Sequence, residues 1–157
     1  MQVGELLRRR GLRLATAESC TGGLLGHLIT NIPGSSTYFM GGVVSYAYEA
    51  KVRLLGVHWS TLEKFGAVSR ETAKEMAGGV RKALAADIGI SITGIAGPGG
   101  GSPEKPVGLT WISLSTPGVD EAWSYTWKGD RLQIKEQSAR QALRLLVEYL
   151  SGYCETD

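Results

Sequence analysis

The run Ile88-Gly-Ile-Ser-Ile-Thr93 alternates large apolar with small residues and leads straight into Gly94-Ile-Ala-Gly-Pro-Gly-Gly-Gly-Ser-Pro-Glu-Lys-Pro-Val-Gly108, which holds six glycines and three prolines. Period-two alternation marks a strand with two distinct faces. The stretch after it cannot be a helix or a ladder strand, since proline lacks the N–H and ordering glycine costs much backbone freedom. It is therefore a loop between two strands, the second over Val107 to Ser115, and that fixes the middle of the chain.

The flanks read in the same way. Residues 2 to 10 place Val3, Leu6 and Leu7 on one helical face before Gly11, and Leu12 to Ala17 follows as a strand. Ser19 or Thr21 stands where a cap is needed for a helix carrying Leu24, Leu25, Leu28 and Ile29, which ends before Pro33. Gly41 to Ala47 reads as a strand and Tyr48 to Leu55 as a helix. Ser60-Thr-Leu-Glu63 has the form of a capping box, and Ser69 caps a longer helix with Ala73, Met76, Ala77, Val80 and Leu84 on one side. After the glycine loop, Val107 to Ser115 and Ala122 to Trp127 form a hairpin through Pro117-Gly118, and Leu132 to Leu150 closes as an amphipathic helix. Helices interspersed with strands early and adjacent strands late predict an α/β single-domain layered sandwich, residues 1 to 157, with a mixed β-sheet covered by helices. Functional sites in such folds lie at strand ends.

A net charge of +2 gives no electrostatic case for nucleic acid or an anionic membrane, and the Arg8-Arg9-Arg10 run reads as a solvated helix end. No apolar run reaches the length of a membrane span and no signal-peptide pattern opens the chain, so a cytoplasmic location is the expectation. Cys20 and Cys154 lack metal-type spacing, and His27 and His58 are isolated. Trp59, Trp111, Trp123 and Trp127 read as core residues, one of which could mark a contact in a homodimer.

The glycine loop fails both familiar nucleotide signatures. Ser102 stands where the dinucleotide fingerprint needs its third glycine, and no Gly-Lys-Ser/Thr opens a helix. What remains is either a tight connection or a backbone that a ligand can approach closely. Ser102-Pro-Glu-Lys105 matches the Ser-x-x-Lys of penicillin-recognising acylases by chance, because the companion motifs are missing. Lys51 shortly after a strand, and Arg131 at a helix start that prefers negative charge, are the cations whose placement asks for a ligand.

Taken together, Ala17-Glu-Ser-Cys-Thr-Gly-Gly23, Gly34-Ser-Ser36, Ser45-Tyr46, Glu49-Ala-Lys51, Gly66-Ala-Val-Ser69, Gly94-Ile-Ala-Gly-Pro98, Lys105-Pro-Val-Gly108 and Gly129-Asp-Arg131 resemble the C-terminal domain of the competence/damage-inducible protein CinA. The resemblance runs from about residue 5 to residue 150. It implies a nicotinamide mononucleotide deamidase, which forms nicotinate mononucleotide and ammonia with a serine nucleophile, a lysine base and neither metal nor other cofactor. It carries the nucleophile to Ser36, with Ser35 and Ser19 as competing hydroxyls, and the base to Lys51, supported by Tyr46, Thr93 and Arg131. Backbone N–H groups beside Gly34, Ser35 or the glycine loop would stabilise the oxyanion. The nucleotide's ribose and phosphate would meet Gly97, Gly99, Gly100, Gly101 and the hydroxyls of Ser19, Thr21 and Ser102, with Lys105 or Arg131 neutralising charge. The other reading is a binding module, without turnover, serving a competence or DNA-damage partner.

Overall fold

The computed structural model describes residues 2–152. Its elements run α1 (Gln2–Arg10), β1 (Leu14–Glu18), α2 (Leu24–Thr30), a 3-10 turn (Ser35–Thr37), β2 (Phe39–Val44), α3 (Tyr48–Leu55), α4 (Trp59–Phe65), α5 (Arg70–Ala83), β3 (Ile88–Gly94), β4 (Leu109–Ser115), β5 (Asp120–Thr126) and α6 (Arg131–Leu150). The five strands form one sheet in the order β2-β1-β3-β4-β5. β1 runs parallel to both β2 and β3, while β4 and β5 add as an antiparallel hairpin, so the sheet is mixed as expected.

Two cores sandwich the sheet. On one side Leu14, Ile88, Ile90 and Ile92 meet Val3 and Leu7 of α1, Leu25 and Ile29 of α2, and Ile134, Ala142, Leu145 and Leu146 of α6. On the other, Ala15 and Ala17 meet Leu55, Leu62, Met76 and Val80 of α3, α4 and α5. The alternation in β3 explains the second layer. Its isoleucines face the first core, and its small residues let α5 lie close: a Cβ on Gly89 would be 2.2 Å from the Ala77 carbonyl oxygen, and Ser91 Oγ donates to the Ala73 carbonyl at 2.6 Å.

Gly79 serves the same purpose between α3 and α5, where a Cβ would come within 1.8 Å of the Leu55 carbonyl oxygen. Backbone on both sides leaves no soft neighbour to yield. Gly79→Ala is expected to cost about 3 kcal/mol of stability, read as a lower urea midpoint at unchanged slope.

Three local expectations need correcting. Neither Ser19 nor Thr21 caps α2; its first residue follows Gly23, and the Glu18 carboxylate accepts the N–H groups of Leu25 and Gly26 instead. Ser60 to Glu63 is not a capping box, because α4 already begins at Trp59, after His58. β2 begins at Phe39 and ends at Val44, so residues 45 to 47 leave the sheet. Elsewhere Ser69 caps α5 as read, and Asp130 caps α6 in a full capping box with Gln133. Tyr149 is only half-buried, and Cys154 lies outside the described residues.

Candidate active site

Parallel neighbours β2, β1 and β3 bring their C-terminal ends to one edge of the sheet, where sites of open α/β folds lie. The residues leaving those ends are Ser45, Ser19 and the start of the glycine loop. Ser19 occupies the turn from β1 to α2, and its N–H is fixed on the Ile92 carbonyl at 2.9 Å. Ser45 is held beside it, its N–H on the Glu18 carbonyl at 2.8 Å. Lys51, in the first turn of α3, reaches back to this edge. A cavity of about 200 Å³ opens there, lined among others by Ser19, Cys20, Tyr46, Lys51, Thr93 and Arg131.

Lys51 is 0% exposed, and its Nζ lies 3.0 Å from Ser19 Oγ, 2.6 Å from the Ser45 carbonyl oxygen and 3.3 Å from that of Tyr46. These three oxygens can take the three N–H groups of the ammonium, and after loss of one proton the amine keeps both carbonyls and turns its lone pair to Ser19 Oγ. Burial pushes the lysine down from its ordinary 10.5 to about 8, within reach of a working general base. The cause is desolvation rather than a neighbouring cation. Burial acts oppositely on the adjacent Cys20, whose thiol is pushed up to about 11, with the charge of Glu18 adding to the rise. A thiol held protonated is a poor competitor for the serine.

Glu18, absent from the candidates read from the sequence, builds the turn that presents Ser19. It is 2% exposed, yet its carboxylate accepts the Thr21 hydroxyl at 2.6 Å and the N–H groups of Leu25 and Gly26 at 2.9 and 3.0 Å. One side chain thus ties the end of β1 to the start of α2. Glu18→Ala would leave these buried donors without an acceptor, for a loss of about 3 kcal/mol measurable by urea unfolding. The signal was a carboxylate one residue before a hydroxyl at a strand-to-helix turn.

The supporting residues act through main-chain atoms as much as through their tips. Tyr46 offers its carbonyl to Lys51, while its phenol oxygen accepts from Arg131 Nη2 at 2.9 Å. Arg131 Nη1 donates to the Gly97 carbonyl at 2.6 Å, so the guanidinium fastens the glycine loop to Tyr46, just before α3. Thr93 lines the cavity but donates its hydroxyl proton to the Ala67 carbonyl at 2.8 Å. It holds the 66 to 69 segment rather than relaying protons.

The structure separates the other candidates from this cavity. Ser36 belongs to the 3-10 turn before β2, whereas Lys51 meets the residues after it, and six residues of strand put about 20 Å between the two ends. The structure therefore does not bring Ser36 to Lys51, and the hydroxyl that stands beside the amine is that of Ser19. Gly34 and Ser35 share the wrong end of β2, where a Cβ on Gly34 would face Arg8 at 3.4 Å, so they cannot provide an oxyanion hole or bind substrate at Lys51. Thr21 is buried against Glu18. Gly99, Gly100 and Gly101 are exposed outside the cavity lining. Ser102 closes a turn by accepting the Lys105 N–H at 3.1 Å, and Lys105 Nζ donates to the Phe65 carbonyl at 2.5 Å, on a neighbouring groove.

The sequence model of the CinA C-terminal domain matches residues 1–150. The CinA-like protein of Desulfotalea psychrophila is 51% identical over 148 residues, covering 94% of this chain and 36% of that protein. The CinA-like protein of Chloroherpeton thalassium is 51% identical over 155 residues, with 96% of this chain and 37% of that protein covered. The chain thus spans little more than a third of the length of the curated relatives it matches. A CinA superfamily protein from Klebsiella pneumoniae superposes with a TM-score of 0.92 at 37% identity, covering 96% of this chain and 94% of that one. The competence/damage inducible protein CihA from Agrobacterium tumefaciens gives 0.85 at 40% identity, with 96% of each chain covered.

Proposed function

Because the chain belongs to the family of the CinA C-terminal domain, we propose that it is a serine amidohydrolase that removes the carboxamide nitrogen of nicotinamide mononucleotide as ammonia. The observation that carries this reading is the approach of Lys51 Nζ to Ser19 Oγ at 3.0 Å inside a cavity. A buried lysine with no carboxylate partner among the described residues is costly to keep, and service as base for a neighbouring alcohol accounts for its position.

In the proposed reaction the neutral Lys51 amine takes the Ser19 hydroxyl proton as Oγ attacks the carboxamide carbon. The N–H groups of Cys20 and Thr21, next along the chain, are the donors offered to the tetrahedral oxyanion; that of Thr21 has no acceptor among the described residues, and that of Cys20 meets only its own thiol. Each well-placed donor of this kind is worth roughly 3 kcal/mol in the transition state. Collapse breaks the C–N bond, the lysine ammonium returns its proton to the departing nitrogen, and ammonia leaves an acyl ester on Ser19. Water then attacks that ester while Lys51 accepts a proton from it. Release of nicotinate mononucleotide returns the proton to Oγ.

Purified protein incubated with nicotinamide mononucleotide should release ammonia and nicotinate mononucleotide in equal amounts. No release, with the nucleotide still bound, would replace this reading with that of a binding module.

A further inference from the structure

We propose that Lys105 is a positioning residue of the site: its ammonium locks the main chain of residues 65 to 69 into the wall against which the amide end of the substrate is held, and it binds no part of the substrate itself. The inference rests on the reading of Ser19 and Lys51 as the amide site.

One side of the cavity is formed by the connection between α4 and α5, whose Ala67 and Val68 line it. This connection has no ladder of its own, since the N–H groups of Ala67 and Val68 have no acceptor among the described residues. Side chains from three directions hold its carbonyls instead. That of Phe65 accepts from Lys105 Nζ at 2.5 Å, that of Gly66 from the hydroxyls of Ser69 and Thr72 at 2.9 and 2.7 Å, and that of Ala67 from the Thr93 hydroxyl at 2.8 Å. Ser69 and Thr72 belong to the start of α5 and Thr93 to β3. Lys105 alone comes from the glycine loop.

The loop is shaped to deliver it. The Ser102 N–H donates to the Lys105 carbonyl at 2.8 Å and the Lys105 N–H to Ser102 Oγ at 3.1 Å, a closed turn that fixes where the side chain starts. Phe65 ends α4, where carbonyls lack intrahelical partners and the helix dipole favours a cation. Gly66 has a φ of +79°, which favours glycine, and a Cβ there would stand 3.1 Å from Nζ, so the ammonium lies against the first residue of the wall. Lys105 is half-buried and no carboxylate lies within 4.0 Å of it among the described residues, which leaves the helix end as its partner. Through Gly97, held by Arg131 at 2.6 Å, the same loop is tied to the side of the cavity that carries Tyr46. The loop thus spaces one wall from the other. The reacting carbon must meet Ser19 Oγ at about 3 to 3.5 Å, and a displacement of ~1 Å costs about a hundredfold in rate. A wall free to shift slows the chemistry without weakening capture of the nucleotide, whereas loss of a phosphate-binding charge does the reverse.

Kinetics of Lys105→Met separate the two. With nicotinamide mononucleotide, kcat should fall at least about tenfold while KM stays within about threefold of the parent, and kcat/KM for the phosphate-free nicotinamide riboside should fall by the same factor. Lys105→Arg, which can still donate to the Phe65 carbonyl, should regain most of the loss. The pH dependence of kcat/KM should level off near 8 as in the parent, because Lys51 stays buried; a profile displaced toward 10.5 would mean general loosening that hydrates the base, and would overturn positioning. A KM rise confined to the mononucleotide, or an unchanged kcat, would overturn it as well. Independently of turnover, the Gly66, Ala67 and Val68 amide resonances should move in Lys105→Met and return in Lys105→Arg. Those shifts in a protein that releases no ammonia would keep the lock on the wall and sink the amidase reading, and resonances that do not move would overturn the lock.

Discussion

Ser19→Ala is expected to lower ammonia release from nicotinamide mononucleotide by at least about ten-thousandfold, while Ser36→Ala leaves it within twofold of the parent. The contrast follows from the strand ends. Ser19 stands 3.0 Å from the only amine in the cavity lining, and Ser36 lies before β2 on the other edge of the sheet. Removing the Ser19 hydroxyl leaves Lys51 both of its carbonyl acceptors, so the variant should unfold in urea close to the parent. Equal losses from the two substitutions would contradict the assignment.

Lys51→Met is expected to abolish turnover to a similar degree, since removal of a base from a unit that works together costs about as much as removal of the nucleophile. It also has a stability signature. Burial holds the folded-state value near 8, below the ordinary 10.5 of the unfolded chain. Between those values the unfolded chain binds more protons than the folded one. The contribution of Lys51 to stability therefore grows as pH rises through this window, and it is fully lost once pH falls below about 8. Parent and variant should thus shift relative to each other by about 2 to 3 kcal/mol between roughly pH 7 and 10, in favour of the parent at the higher pH. A constant difference would mean that Lys51 is charged in the folded protein throughout. Replacement also strips a donor from the Ser45 and Tyr46 carbonyls, so the slope is the informative quantity rather than the offset.

How far these residues could be read from the sequence depended on how local their cause was. α3 was legible to the residue because Tyr48 to Leu55 carries its own periodicity between an extended Ala47 and a left-handed Gly56. The cap of α4 was not, since the Glu75 carboxylate of α5 fixes its start by accepting the His58 N–H at 3.1 Å and the Thr61 hydroxyl at 2.8 Å, a contact across 14 to 17 residues. β2 was read too late because residues 45 and 46 look like strand but turn out of it, which delivers both carbonyls to Lys51. Departures from local preference of this kind gather where a site needs them.

The site shows the same division. Lys51, Tyr46, Thr93 and Arg131 were placed by their motifs, and the structure gathers them with Ser19 around one cavity. The choice among serines turned on which strands run parallel, and no spacing records that. Once β1 and β2 are parallel, the residues after both strands meet, and a hydroxyl before β2 lies at the opposite end from Lys51. The glycine loop was legible as a loop but not in its role. Most of its glycines stand outside the cavity, and its link to the chemistry is the Gly97 carbonyl held by Arg131.

The account turns on a neutral Lys51 activating Ser19, and the pH dependence of kcat/KM for ammonia release tests that most directly. A rate that climbs with pH and levels off above an apparent value near 8 is the predicted result. A rate already at its plateau at about pH 6, or one still climbing in step with hydroxide beyond about pH 10, would contradict it.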